Sequence, residues 1–311
     1  MTKFIAELCQ NHLGSTSNLE QMVILAKKSG ADYAKIQGLY SYELTKRPEF
    51  ENPNNPIYRP FESEFERLSS LDLTSEQESW FVRFCISNSV IPMITVFTHE
   101  GIKRAKSAGF KHIKIASYDC NSIPLIEGAL SFADEVIIST GATSWKDLNH
   151  TCKFVSEKKK NNQKVVLLHA KTIYPTQLNE FNLLRMAALK YFGYDTGLSD
   201  HSKPSDTGLI ASKVAILLGA KYIERHFTIF NKSKTKDGPI SVTPEELMEL
   251  KDFSMLNHSE QISQIKINDL ITLLGGDLIE PSGAELNNRK YYRGRVATNY
   301  KGKLFYSWEK F

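Results

Sequence analysis

The sequence predicts an α/β protein, a (β/α)8 barrel with a short C-terminal extension. Three observations lead there. Eight short apolar runs recur along the chain, each followed by a segment of helical period. Most of the runs are continuously apolar rather than alternating, as expected of a parallel sheet covered by helices. Charged or polar residues gather at the ends of the runs, and the chemistry of this barrel sits at its strand ends.

The strand-like runs are Phe4–Leu8, Tyr33–Ile36, Val90–Val96, His112–Ile115, Glu135–Ser139, Lys164–His169, Thr196–Ser199 and Tyr222–Glu224. Helices are expected over Leu19–Ser29, Ser75–Ser87, Glu100–Ser107, Pro124–Ser131, Ser144–Glu157, Asn182–Lys190, Ser205–Leu218 and Pro244–Phe253. Two starts carry their own caps. Thr74-Ser-Glu-Gln77 and Thr243-Pro-Glu-Glu246 both fit the capping box, and the second has proline at the first helical position. Gly30, Gly109 and Gly219 each close a helix just before a strand. Five residues beyond each stands a charge: Lys35, Lys114 and Glu224. Side chains i and i+2 share a strand face, so Lys35/Gln37, Lys114/Ala116 and Glu224/His226 point one way. Charge is costly in a dry core, which predicts a solvated mouth. A doubly wound sheet is the rival, but no GxGxxG or GxxxxGK[ST] anchors a nucleotide.

The barrel is expected over residues 1–255. Residues 256–311 follow as a further helix, Ser259–Leu274, broken at Gly275-Gly276, and a basic, aromatic tail packed outside the barrel or at a subunit contact. Apolar residues make up 41% and charged residues 24% of the 311, with a net charge of +4. No run approaches the roughly 20 apolar residues of a membrane span. The dispersed lysines give no reason to expect nucleic acid. The start, MTKFIAELCQNH, does not read as a secretory signal. Four cysteines at 9, 85, 120 and 152 form no CxxC pair and suit a reducing cytosol, so a cytoplasmic location is expected.

Two histidines, His201 and His226, end neighbouring strands. They would bind one divalent ion and leave positions open for water and substrate, or each would hydrogen-bond within its own loop. Lys35 and Lys114, with Thr95, Ser117, Thr172 and Ser199 on other strand ends, would form a site for phosphate or carboxylate. Taken singly, such lysines snorkel and such hydroxyls cap turns.

The segments IAELCQNHLGS at 5–15, GADYAKIQ at 30–37 and ERLSSLDLTSEQ at 66–77 resemble the sialic acid synthase family. So do KIASYDCNSIPLIE at 114–127, IISTGAT at 137–143, LLHAKTIYPT at 167–176, GLSDHS at 197–202 and IERHFT at 223–228. The resemblance implies a (β/α)8 transferase that condenses phosphoenolpyruvate with N-acetylmannosamine or a related aldose. The products would be a nonulosonic, sialic-type acid and phosphate. It implies a divalent cofactor, manganese first and magnesium or cobalt next, on His201 and His226. Lys35, Thr95, Ser117 and Ser199 fall where the family holds phosphoenolpyruvate, and Lys114 lies beside its carboxylate. Thr172 stands where relatives commonly carry asparagine. Asp119 falls at the place of an acidic residue suited to activating water. Gln37, Tyr174 and Asp237 fall at positions that handle the sugar, and Glu7 belongs to the same strand-end set.

Members of that family continue into a small antifreeze-like domain that covers the partner's site and supplies an arginine. Here Arg289–Arg295 resembles the linker, and the domain is expected to be missing. Arg289, Arg293 or Arg295 would replace the arginine, and a homodimer or a separate lid-domain partner would complete the site. Two other readings stay open. One is a phosphoenolpyruvate-dependent synthase acting on a phosphorylated aldose, which needs a second basic cluster that the sequence does not mark. The other is a catalytically idle barrel acting as a binding or partner subunit.

Overall fold

The computed structural model describes residues 1–276 and 280–311. Along the chain run β1 (Lys3–Glu7), α1 (Thr16–Lys28), β2 (Tyr33–Gly38), α2 (Phe61–Ser69), α3 (Ser75–Ser87) and β3 (Ile91–Val96). Then come α4 (His99–Ala108), β4 (His112–Ile115), α5 (Ile123–Leu130), β5 (Glu135–Ser139), α6 (Trp145–Lys158) and β6 (Lys164–Ala170). Next are α7 (Leu184–Ala188), β7 (Asp195–Asp200), α8 (Pro204–Thr207), α9 (Ile210–Leu217), β8 (Tyr222–His226) and α10 (Pro244–Met255). The chain finishes with α11 (His258–Ser263), α12 (Ile267–Leu274), α13 (Gly283–Tyr292), β9 (Thr298–Tyr300) and β10 (Lys303–Phe305).

Among the described residues, β1 to β8 pair in parallel in chain order, and β8 returns to β1 to close the barrel. The fold class read from the sequence is therefore the observed one, a (β/α)8 barrel. Both capping boxes form, Thr74 with Gln77 and Thr243 with Glu246. Three helical expectations change. Ser205–Leu218 is split into α8 and α9 at Gly208, whose φ of 60° breaks the helical run. Ser259–Leu274 is likewise two helices, α11 and α12, the first opened by a capping box on Asn257 and Glu260 and ended at Gln264. Asn182–Lys190 narrows to α7, followed by a tighter turn over Leu189–Phe192. α2, in the long connection between β2 and α3, has no counterpart among the helices expected from the sequence.

Alternation along the strands sorts the interior into layers. At the amino-terminal end, the hydroxyls of Tyr33 and Tyr222 donate to Glu135 at 2.8 and 2.6 Å, and His112 lies 3.1 Å from the same carboxylate. Above them Ile5, Met93, Ile137, Val166 and Leu168 pack into an apolar plug. Two residues further on come Glu7, Lys35, Thr95, Lys114, Ser139, Ser199 and Glu224, at the carboxyl ends of the strands. Outside the strands, residues such as Phe4, Ile36, Ile94, Val136 and Leu198 join the helices in the larger core.

The extension lies across the loop face of the barrel rather than on its outer wall. Ala297 N–H donates to Glu43 O at 2.9 Å in the loop after β2, and Thr298 accepts from Glu100 N–H at 3.0 Å after β3. Ser307 donates to Asp119 at 2.6 Å after β4. Glu285 on α13 accepts from Ala142 N–H after β5 and Thr172 N–H after β6, at 3.3 and 3.4 Å. Five strand-to-helix loops are thus tied together by one segment.

Candidate active site

β1 delivers Glu7, β2 Lys35 and β3 Thr95 to one corner of the mouth. Lys35 forms an ion pair with Glu7, donates to Thr95 Oγ1 at 3.0 Å and lies 3.6 Å from Glu224 on β8. Glu224 accepts from Ser199 Oγ on β7 at 2.8 Å. Lys114 on β4 donates to Ser139 Oγ on β5 at 2.6 Å. The expectation of a solvated mouth fails here: Lys35, Lys114 and Glu224 are 2%, 3% and 5% exposed. The charges tolerate burial because each has opposite charge or a hydroxyl beside it. Burial pushes the Lys35 ammonium down to about 8, against the pull of Glu224 and with the neighbouring Lys114 charge adding to the fall. Lys114 is lowered too, again by burial first. For Glu224 burial acts upward, but Lys35 and Lys114 win and hold it at about 2.

A second group of donors lines the β4–β6 side. Gly141 N–H donates to Ser117 Oγ at 3.2 Å. A Cβ at Gly141 would sit 2.9 Å from that oxygen and 2.8 Å from Thr172 Cγ2, so only glycine lets these loops approach. The Ser117 and Thr172 side chains are thereby brought together, both buried.

The two histidines meet as the sequence suggests. Their rings lie 5.5 Å apart, and Tyr174 covers His201 at 4.5 Å. His201 Nδ1 lies 2.8 Å from Lys171 O, which assigns the proton to Nδ1 and leaves Nε2 as an acceptor. His226 Nδ1 is buried with no hydrogen-bond partner. Burial first, then the proximity of His226, lowers His201 to about 4, so it stays neutral at physiological pH. Neutral imidazoles with an acceptor nitrogen are the form that binds a metal, and with His201 Nε2 touched only by Ser199 Oγ at 3.4 Å the pair fits a divalent ion. Asp200 and Arg225 stand beside these histidines in sequence and face the other way. They form an ion pair with no exposure, and Arg225 also donates to Ser202 O and Ile240 O at 3.0 and 3.2 Å. This pair fixes the backbone that presents both rings.

Other expected residues fall at the edges. Asp237 accepts from Cys9 Sγ at 2.9 Å, close to His226. Gln37, one residue before the end of β2, lies in register with Thr95, half-buried. Asp119 is brought to the rim, not into the lysine layer: its Oδ1 accepts from Ser122 and Ser307, at 3.1 and 2.6 Å. Burial raises it to about 6, against those two hydroxyls and the charges of Arg293 and Arg289.

Four residues that the structure places at the site are not among those expected from the sequence. Glu224 carried a signal, since it stood in the strand-end charge series, and Ser139 lay within a quoted motif. Cys9 was read only as one of four reduced thiols, and Glu285 carried no signal. The sequence also marked no second basic cluster, yet one forms. Arg67, Arg295 and Lys236 surround Glu64 at 2.9, 2.6 and 3.7 Å, with Arg59 adding charge. Burial acts to raise the Glu64 carboxyl, but these cations hold it at about 2. Of the three tail arginines, Arg295 is taken up here. Arg289 donates to Ala142 O and Asn121, and Arg293 lies 4.8 Å over the Trp308 ring. No helix of the described residues is long and apolar enough to cross a membrane.

A family model described as "NeuB family" matches residues 22–264. N,N'-diacetyllegionaminic acid synthase of Campylobacter jejuni is 28% identical over 79% of this chain and 73% of its own length. Pseudaminic acid synthase of the same species is 27% identical over 97% and 83%. Human N-acetylneuraminate-9-phosphate synthase is 28% identical over 79% and 67%. The solved N-acetylneuraminic acid synthetase of Leptospira borgpetersenii superposes with a TM-score of 0.70 at 24% identity, covering 93% of this chain and 90% of that one, which supports the fold.

Proposed function

Because this chain belongs to the NeuB family and is a sialic acid synthase-type transferase, we propose that it condenses phosphoenolpyruvate with an N-acetylated aldose to give a nonulosonic acid and phosphate. The observation that carries the reading is the buried layer of Lys35 and Lys114 among Thr95, Ser139 and Ser199, beside two neutral imidazoles. Two buried ammonium groups in reach of hydroxyls suit a small trianion. When phosphoenolpyruvate enters, Lys35 exchanges its Glu7 partner for a ligand oxygen, and Lys114 adds the second charge. Ser117 and Thr172, held close by Gly141, offer hydroxyls to the same ligand. Thr172 donates from a shorter arm than an asparagine amide would. A divalent ion on His201 and His226 would polarise the acceptor aldehyde. As C3 of the enol phosphate bonds to the aldehyde carbon, positive charge at C2 is stabilised by the carboxylates of Glu7 and Glu224; water then adds at C2, and the tetrahedral carbon breaks its C–O bond and releases phosphate. Asp119, raised to about 6, is the acidic residue that would activate that water, from the rim rather than from within the lysine layer, with its Oδ1 held by Ser122 and Ser307. Gln37, Tyr174 and Asp237 stand on the acceptor side.

A second reading, a phosphorylated acceptor, is favoured by the Arg59, Arg67, Lys236 and Arg295 cluster, which adjoins Asp237 through Lys236. The experiment is phosphate release from phosphoenolpyruvate, with divalent metal, against N-acetylmannosamine, a diacetamido hexose and a 6-phosphorylated hexosamine. Release with one acceptor, abolished by Lys35→Met, is expected. A 6-phosphorylated hexosamine as the sole substrate selects the second reading. No release with any acceptor, together with no binding of phosphoenolpyruvate, overturns both.

A further inference from the structure

We propose that Cys9 is a thiolate ligand, so that the metal site is built from Cys9, Asp237, His226 and His201 and prefers zinc, cobalt(II) or iron(II) to manganese or magnesium. The inference deepens the metal-dependent reading above and rests on it. Ligand atoms of Cys9, His226 and Asp237 all lie within 4.8 Å of one another, close enough for one ion to gather them with small side-chain movements. His201 joins from the side, 5.5 Å ring to ring from His226, with Nε2 free of the Lys171 carbonyl that holds Nδ1.

An independent observation points to a missing ligand. His226 is 8% exposed, and its Nδ1 has no hydrogen-bond partner, a costly state for a buried polar atom. Cys9, by contrast, spends its thiol proton on Asp237, the nearest acceptor. On coordination that proton leaves to solvent, the sulfur lone pair turns to the ion, and Asp237 Oδ2 is released to bind as well. The backbone supports this placement. Cys9 adopts a φ of 46° and its N–H donates to Glu7 Oε1 at 2.7 Å, which anchors the thiol between the lysine layer and the β8 loop. The other three cysteines are buried without such company.

The donor set decides the metal. Two imidazoles and a carboxylate accept most first-row divalent ions. Adding a thiolate shifts preference to softer ones, since sulfur suits zinc, cobalt(II) and iron(II) far better than manganese or magnesium. One oxygen-loving substrate site would thus work with a borderline-soft ion.

The test is cobalt(II) titration of the full chain after treatment with chelator, read by absorption. Visible d–d bands report cobalt bound in a protein site, and a near-ultraviolet thiolate-to-cobalt band reports sulfur. Wild type is expected to show both. Cys9→Ser and Cys9→Gly are expected to keep the visible bands, lose the near-ultraviolet band and lose about tenfold or more in zinc-over-manganese preference by competition. Because the key band is read on the wild-type protein, a poorly folded variant does not rescue the idea. Visible bands without a near-ultraviolet band in wild type would overturn the thiolate and leave the metal reading standing. A near-ultraviolet band that survives in both variants would also overturn it. No cobalt signal at all in wild type would remove both readings.

Discussion

Replacing Glu43 with glutamine should stabilise the protein at pH 8 and change little at pH 5. Glu43 is 4% exposed, between the loop after β2 and the extension. Its carboxylate accepts from Thr98 at 2.8 Å and lies 3.4 Å from the Thr298 hydroxyl. Burial, aided by the Glu100 charge, raises it to about 7 against the two hydroxyls and Arg104. In the unfolded chain it titrates near the ordinary 4.5. Between those values the folded state holds a proton that the unfolded state has lost, so stability falls as pH rises through the window and is level above it. The full fall is about 3 kcal/mol. Glutamine keeps the shape, presents its oxygen to Thr98 and its amide to Thr298, and never ionises. Urea unfolding of both proteins at pH 5 and pH 8 measures the difference, with other titrating groups cancelling between them. The variant should gain on the order of 2–3 kcal/mol on going from pH 5 to pH 8. An equal difference at both values would refute the argument, because it would mean that Glu43 does not carry its proton in the folded state.

Two further outcomes follow from the loop ties. Arg225→Met should cost about 3–5 kcal/mol of stability by leaving Asp200 buried and unpaired. Where the variant folds, calorimetry should show weaker metal binding as the 200–202 backbone loosens; undiminished affinity would count against a positioning role. Glu285→Ala should leave the Ala142 and Thr172 amides without acceptors, at about 2–4 kcal/mol together. Its KM for phosphoenolpyruvate should rise more than its kcat falls, and Glu285→Gln should recover most of the loss. An unchanged KM would place Glu285 in stability alone.

The barrel and its inner lining were legible because both rest on short-range rules. Apolar runs separated by helical segments specify βα units, and glycines at 30, 109 and 219 mark where helices yield to strands. Covalent alternation then forces Lys35, Lys114 and Glu224 onto one face wherever those strands lie. His201 and His226 follow by the same reasoning, one from each of two successive strands. What misled was the dielectric: side-chain chemistry alone suggested a wet mouth, whereas the charges meet across strands and are buried together.

The remainder depended on closure. Cys9 and Asp237 are 228 residues apart and meet because β8 returns to pair with β1. Arg59, Arg67, Lys236 and Arg295 converge on Glu64 from three distant segments, so no local pattern announces a basic cluster. The breaks at Gly208, where the backbone turns to positive φ, and after α11 are not encoded by a helical period. The tail showed its composition but not its path, since aromatic and basic residues pack equally well on many surfaces. The sequence thus determined which residues face the barrel axis, because that is covalent geometry. The tertiary structure decided which of them touch, because contact between remote segments exists only once the barrel has closed and the extension has crossed its loops.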